Sequence, residues 1–346
     1  MFKVVDYEDI DENRIDENHI LIDLRSPSEY NSETIPGAIN IPIFNDEERK
    51  LIGTIYKQES IEKAKKVGME TASRRLPSIY EEVSALDKEY GNLIFFCARG
   101  GFRSSSIVSL FRSIGINSIK LNGGYNGYRR FINENLPTIM NEIQFVVLYG
   151  NTGTGKTHIL QSLKAEGMDI LDLEGCANHR GSLLGGVGLG EQNTQKMFES
   201  LIYESLKNRK SNLVFLEGES KRIGKDIIPN YLYEAMNKGI NLKIEASIER
   251  RVDILLKDYV HGIDDEIITS INFLRKYLGD ANIDRYIDSI NKHDYRPVIE
   301  ELIIKYYDPL YGHKNRIHHA IFHNEKTLVT AKNIIEWVND MKEDSK

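Results

Sequence analysis

Two cysteines, Cys97 and Cys176, are all that 346 residues contain, which excludes a disulfide framework and a cysteine-based zinc site. No apolar run approaches the roughly 20 residues needed to cross a bilayer. Met1 to Ile10 already alternates with acidic residues, so no secretory signal is expected there. Positive charge is not in excess either: 45 Lys and Arg against 52 Asp and Glu leave a net charge of −7. These totals give no support to a nucleic-acid binder, although a local basic patch can serve as one on an acidic protein. Internal repeats and low-complexity tracts are lacking too. What is present is an ordinary globular composition, 40% apolar and 28% charged, in a chain long enough for two domains that each bury a core.

The chain is organised around one stretch, Leu93-Ile94-Phe95-Phe96-Cys97-Ala98-Arg99-Gly100-Gly101-Phe102-Arg103. Four apolar residues read as a short buried strand, and Ile107, Val108, Leu110, Phe111 and Ile114 read as one face of a following helix. The turn between them holds Cys97, two glycines and two arginines. Backbone N–H groups feeding a helix N-terminus favour negative charge, and Arg99 and Arg103 add full positive charges. Such surroundings bring a thiol from about 8.5 into the range of roughly 3.5–7.5, so Cys97 is a candidate nucleophile at neutral pH. A buried cysteine filling space is the competing reading, but it leaves the arginines and glycines without a purpose. An active thiolate also points to the reducing cytoplasm.

Residues 1 to 137 read as one α/β domain. Ile20 to Leu24 is a strand, Arg25 to Tyr30 turns into a helix, and Ile35-Pro36-Gly37-Ala38-Ile39-Asn40-Ile41-Pro42 is a rigid connection containing another strand. Helices are expected over Asp46 to Gly68 and Ser78 to Tyr90. Ser118 to Leu121 is a strand ending at Asn122-Gly123-Gly124-Tyr125, and Leu136-Pro137 is expected to be a short linker. Asp23-Leu24-Arg25 with Glu29-Tyr30, the Ile35 to Pro42 run, the cysteine loop and Leu121 to Tyr125 together resemble a rhodanese domain. That resemblance implies a sulfur or selenium atom carried on Cys97. From Cys97 to Arg103 the loop is C-x5-R, a residue longer than in typical sulfurtransferases and similar to the related phosphatase loop. The wider cradle favours a tetrahedral anion such as selenophosphate.

Residues 138–346 read as a second α/β domain with a parallel sheet. Ile143 to Tyr149 is a strand running into Gly150-Asn151-Thr152-Gly153-Thr154-Gly155-Lys156-Thr157 and a helix through Lys164. This is G-x-x-x-x-G-K-[ST] in its required strand–loop–helix context, a P-loop. Gly150, Gly153 and Gly155 let the backbone wrap a diphosphate, Lys156 neutralises it, and the Thr157 hydroxyl can hold Mg²⁺. Further strands are expected at Met168 to Leu173, Leu213 to Leu216, Leu242 to Glu245 and Ala320 to Phe322, with a helical stretch over Val252 to Lys305 and a closing helix over Ala331 to Met341. Leu213 to Glu217 is an apolar run ending in an acid. Glu217 and Glu219 are therefore candidates for metal or general-base work, with ordinary solvated carboxylates as the equal alternative. Cys176 reads as a small buried residue.

Several longer runs resemble the tRNA 2-selenouridine synthase family across nearly the whole chain. They are Asn45 to Arg49 with Gly53 to Gln58, the Cys97 loop, Gly123-Gly124-Tyr125, the P-loop, Leu173 to Ser182, Glu217 to Gly224 and Tyr306 to Tyr311. The resemblance implies two steps on the wobble 2-thiouridine of tRNA: geranylation of the sulfur by geranyl diphosphate, then replacement of the S-geranyl group by selenium from selenophosphate. It implies no tightly bound cofactor and no membrane contact, and it leaves room for Mg²⁺ at Thr157 and Glu217. Arg99, Gly100, Gly101 and Arg103 would hold selenophosphate. His179, Arg180, Glu217, Glu219 and Arg222 are candidate catalytic, diphosphate or tRNA contacts. Tyr306, Tyr307 and Tyr311 either stack on a tRNA base or pack in the interior. The rivals are a rhodanese-type sulfurtransferase fused to an ATP-using kinase or ATPase, and a regulatory anion-binding protein or a phosphatase working through the C-x5-R loop.

Overall fold

The computed structural model describes residues 3–259, 262–311 and 316–344, and the chain divides into two compact units, Met1–Leu136 and Pro137–Lys346. In the first, five parallel strands stand in the order β1-β5-β4-β2-β3: β1 Val4–Val5, β2 His19–Asp23, β3 Ile39–Asn40, β4 Asn92–Phe96 and β5 Ser118–Leu121. The β4 run Leu93 to Phe96 is fully buried, as a parallel strand covered on both faces requires. Phe95 packs with Ile22, Ile107 and Phe111 in the core that fixes the helix Phe102–Ser113 beneath the sheet edge of the cysteine turn.

Two expectations are corrected here. The polar helix does not run from Asp46 to Gly68; it stops at Gln58, and a 27-residue helix spans Ile61–Asp87. The Ser60 side chain accepts the Lys63 N–H and restarts the helix. Buried Ala64, Thr71, Ile79 and Val83 then carry it past Pro77. Leu136-Pro137 is likewise no linker, because both lie in the helix Gly124–Ile139. A proline inside a helix costs about 3 kcal/mol, but Tyr128, Ile132 and Leu136 form a buried stripe that holds the last turns together.

The second unit is built on a five-stranded parallel sheet of order β12-β11-β6-β8-β7. Its strands are β6 Gln144–Tyr149, β7 Asp169–Leu171, β8 Leu213–Glu217, β11 Ile240–Glu245 and β12 Ala320–His323, with a separate antiparallel ribbon of β9 Arg222–Ile223 and β10 Asp226–Ile227. Val146 and Leu148 of central β6 pack against Ile159, Leu160 and the closing helix residues Ala331 and Ile334. Between β11 and β12 the chain makes a helical insertion with its own core, in which Ile271, Leu274, Ile283, Tyr286 and Ile290 are buried. No helix among the described residues is long and apolar enough to cross a membrane. In both sheets the chemistry-bearing loops follow the carboxyl ends of central strands, where open parallel sheets bind ligands.

Candidate functional site

In the first unit, Cys97 follows directly on β4, and the chain after β5 holds its loop from below. The Tyr125 N–H donates to the Cys97 carbonyl at 2.9 Å and the Asn126 N–H to the Ala98 carbonyl at 3.0 Å. That approach requires glycine at 124. Its φ is +58°, and a Cβ there would lie 2.1 Å from the Cys97 carbonyl oxygen. Gly124→Ala is therefore expected to destabilise this unit by about 2–4 kcal/mol, measured by denaturant titration, and to abolish thiolate chemistry at Cys97.

The Cys97 side chain is buried, with Sγ 3.4 Å from Ser104 Oγ. Burial pushes the thiol up, but the Ser104 hydroxyl, the Arg103 guanidinium and the N–H groups of Ser104 and Arg99 outweigh it and hold it below its ordinary value. Arg103 is fixed in turn, donating to Glu29 Oε2 at 3.1 Å while Arg49 donates to the same oxygen at 3.3 Å. Burial pushes the Glu29 carboxyl up, and Arg103, the Ser26 N–H and Arg49 bring it down further. Gly100 is buried, and Gly101 caps the helix that begins at Phe102. Arg99, by contrast, is exposed at the rim, so Arg103 is the arginine the structure immobilises beside the sulfur. Asp23 and Arg25 form a buried ion pair at 2.7 Å, with the Arg25 guanidinium 4.2 Å from the Tyr125 ring centroid. They hold the turn after β2 against the segment that carries Gly124.

In the second unit, the loop from Gly150 to Thr157 joins β6 to the helix Lys156–Ala165. Lys156 Nζ donates to the Gly150 carbonyl at 3.1 Å. Gly155 has a φ of +81°, and a Cβ there would lie 2.5 Å from Asn324 Nδ2, which donates to the Thr154 carbonyl at 2.8 Å. Asn324 is fully buried just beyond β12. On the other side, buried Arg251 donates from Nε to the Thr152 carbonyl at 2.9 Å and grips Asp308 with both terminal nitrogens, at 2.9 and 2.6 Å. Asn151 Nδ2 also donates to Asp308, at 2.9 Å. Asp308 follows a π-helical turn, Ile303–Tyr307, the kind of irregularity that often marks functional sites.

Carboxylates gather beside the loop. Thr157 Oγ1 donates to Glu174 Oε2 at 3.1 Å, and the Glu174 N–H donates to Glu217 Oε1 at 2.9 Å. Glu217 is fully buried at the end of β8, and its Oε2 has no hydrogen-bond partner among the described residues, so it is no solvated strand-end acid. A Cβ on Gly181 would lie 2.6 Å from Glu219 Oε2 and 3.0 Å from Glu174 Oε1, which places that glycine between the two acids. Burial first, then Glu219, pushes the Glu174 carboxyl up to about 8 against the pull of Lys156 and Thr157. Burial, Asp172 and Glu174 push Glu217 well up. Among the described residues, no three His, Cys, Asp or Glu side chains gather so as to hold a metal ion. A Mg²⁺ beside Thr157 would therefore take much of its shell from substrate phosphate oxygens and water, as is usual for this ion.

The raised Glu174 carboxyl has a consequence for stability. Its folded value of about 8 exceeds the ordinary 4.5, so the folded protein holds this proton more tightly than the unfolded chain. The resulting stabilisation is complete below about 4.5 and is lost as pH rises through about 8. Calorimetry of the unliganded protein is expected to show Tm falling from pH 5 to pH 8.5. Glu174→Gln should flatten that dependence, raising Tm at pH 8.5 by roughly 2–4 °C.

The other predicted side chains divide. His179 accepts the Gly181 N–H on Nδ1 at 3.2 Å, and burial and Arg180 hold its ring below the ordinary value and hence neutral. Arg180 donates to the Val187 carbonyl at 2.8 Å and lies 4.9 Å from the Tyr259 ring centroid, so it holds the loop that frames Gly181. Arg222 is exposed on β9 and is not brought into the carboxylate group. Cys176 is buried, and burial pushes its thiol up, as befits an inert residue. Tyr307 is buried in the insertion core, and Tyr306 is half-buried between it and Tyr277; packing accounts for both. The Tyr311 side chain lies outside the described residues. Sequence reasoning missed Glu174, Asn324, Arg251 and Asp308. Glu174 and Asp308 sit inside two of the specific runs, which was the available signal.

A cysteine loop of rhodanese type and a P-loop with a carboxylate group beside it define a two-domain α/β protein, a rhodanese-like unit followed by a P-loop unit. A rhodanese-like domain model matches residues 6–131, and the model of the tRNA 2-selenouridine synthase AAA domain matches residues 143–344. A tRNA 2-selenouridine synthase of Pseudomonas syringae pv. syringae is 33% identical, with 90% of this chain and 93% of that one covered. Its counterpart in Marinobacter nauticus is 30% identical, with 85% and 88% covered. A solved N-terminal domain from Clostridium difficile 630 is 38% identical over 38% of this chain and 98% of that one, with a TM-score of 0.36. The chain belongs to the tRNA 2-selenouridine synthase family.

Proposed function

We propose that this protein is a tRNA-modifying transferase that converts the wobble 2-thiouridine of tRNA to 2-selenouridine in two steps. In the first, the thiocarbonyl sulfur attacks the allylic carbon of geranyl diphosphate, the carbon–oxygen bond breaks, and diphosphate leaves with its charge. Lys156, Thr157 and the loop amides of Gly150, Gly153 and Gly155 receive that charge, which is where preorganised donors act most strongly. Mg²⁺ at Thr157, with Glu217 nearby, would supply further neutralisation. In the second step, selenium from selenophosphate attacks C2 and geranylthiol departs; water then cleaves the phosphorus–selenium bond and releases phosphate. The logic is one of leaving groups, since a thiocarbonyl sulfur leaves poorly and an alkylated sulfur leaves as a neutral thiol.

The observation that carries the reading is Cys97. Its thiol is held below its ordinary value beside a fixed Arg103, at the N-terminus of a 12-residue helix. That arrangement suits a group that positions the tetrahedral selenophosphate for its attack on C2, the selenium staying on that anion until the carbon–selenium bond forms. Contacts to a single-stranded anticodon loop would make activity salt-sensitive. Ligand protection separates this reading from an ATP-using sulfurtransferase. Geranyl diphosphate with Mg²⁺ should raise Tm, whereas ATP should not. Protection by ATP together with ATP hydrolysis, and no effect of geranyl diphosphate, would overturn the proposal in favour of that rival.

A further inference from the structure

Phe102 is the first residue of the helix that leaves the Cys97 loop, and it is 68% exposed. The apolar face of that helix is carried by Ile107, Val108 and Phe111, which are buried in the core of the first unit, so packing does not claim the Phe102 ring. A lone exposed apolar side chain needs no explanation, but the surroundings of this one are unusual. Arg99 and Gly101 of the same loop are exposed too, and a Cβ on Gly101 would meet no atom within 4 Å, so the loop opens to solvent here. Lys65 of the helix Ile61–Asp87 lies over the ring, with Nζ 5.0 Å from its centroid. Ile61, Lys65 and Met69 follow at four-residue spacing, which places them on one face of that helix, and all three are exposed. From Ile61 to Arg75 the chain has five Lys and Arg against two Glu, in a protein whose net charge is −7.

We propose that Phe102 is the platform on which the RNA base stacks while the Cys97 loop works on it, with Lys65 meeting an adjoining phosphate. The inference rests on the reading of this loop as the site of selenation. A base turned out of a single-stranded loop loses its stacking neighbours, and an aromatic side chain replaces them. Charge favours RNA over a neutral apolar partner, because a basic run on an acidic chain is the footprint of a polyanion. The flexible lysine stem lets the ammonium leave the ring as the base arrives and keeps it within reach of the nucleotide's phosphate. Duties at the loop then divide: the amides and Arg103 hold the tetrahedral anion, and Phe102 places the base whose C2 it attacks.

The probe is an anticodon stem-loop RNA carrying S-geranyl-2-thiouridine, titrated with the full chain by fluorescence anisotropy. Phe102→Ala should weaken its binding ~10-fold and raise the KM for this RNA in selenation by the same factor, with the KM for selenophosphate unchanged. Phe102→Tyr and Phe102→Trp keep a stacking face and should stay within ~3-fold of wild type. Because the ring is exposed, none of the three should move Tm by more than ~1 °C, which separates stacking from a structural role. Lys65→Ala should lower the slope of log Kd against log salt by about one. The inference is overturned if Phe102→Ala binds the RNA as wild type does, which would leave the patch to a protein partner. It is equally overturned if Phe102→Tyr loses as much as Phe102→Ala. If the aromatic-dependent binding appears as stated but wild-type protein never forms selenouridine, the proposed function falls while the platform stands.

Discussion

Cys97→Ser protein is expected to carry tRNA to the S-geranyl stage and stop there. Serine matches cysteine in shape, so the loop pinned by Tyr125 and Asn126 is retained. The Ser104 hydroxyl still has a neighbour at the position now 3.4 Å away. What is lost is the ionisable sulfur that positions selenophosphate: the surroundings that lower a thiol cannot bring an aliphatic hydroxyl into the neutral range. Selenation should fall by ~10²-fold or more, while geranylation, which the proposal assigns to the P-loop, should proceed at the normal rate. Geranylated tRNA therefore accumulates and is read directly by nucleoside mass spectrometry. Normal 2-selenouridine from this variant would remove Cys97 from the chemistry.

Lys156→Ala should produce the complementary block. The Lys156 ammonium donates to the Gly150 carbonyl within the loop and also draws the Glu174 carboxyl down. Removing it leaves a leaving diphosphate without its lysine and facing a carboxylate group with less to offset it. Geranyl transfer should drop by ~10²–10³-fold, and selenouridine should disappear with it, because the second step needs the product of the first. Supplying tRNA that already carries the S-geranyl group should restore selenation. Failure of that rescue would mean that Lys156 serves both reactions or the fold, and unchanged geranylation would refute its assignment to diphosphate.

The difference between what the residues disclose and what only the fold discloses lies in sequence distance. The Cys97 turn and the P-loop are contiguous strand–loop–helix units, so hydrophobic periodicity and a few glycines suffice to find them. The clamps that make them rigid are not contiguous. Arg251 meets Asp308 across 57 residues, and Asn324 reaches Thr154 across 170; neither pair has a local pattern. Glu174 looks like one acid among many until the parallel strands β7 and β8 bring it beside Glu217. The glycines at 123 and 124 are visible as a turn, but the collision of a Cβ with the Cys97 carbonyl is a tertiary fact. Conversely, Pro137 reads as a linker and is overridden, because the buried stripe of Tyr128, Ile132 and Leu136 before it outweighs one missing N–H.

The most direct measurement is nucleoside mass spectrometry of 2-thiouridine tRNA incubated with the pure protein, geranyl diphosphate being added first and selenophosphate second. The two-step reading predicts S-geranyl-2-thiouridine after the first addition and 2-selenouridine after the second, with geranylthiol released in equal amount. Thiouridine left intact after both additions, or selenouridine formed with selenophosphate alone and no geranyl donor, would contradict it.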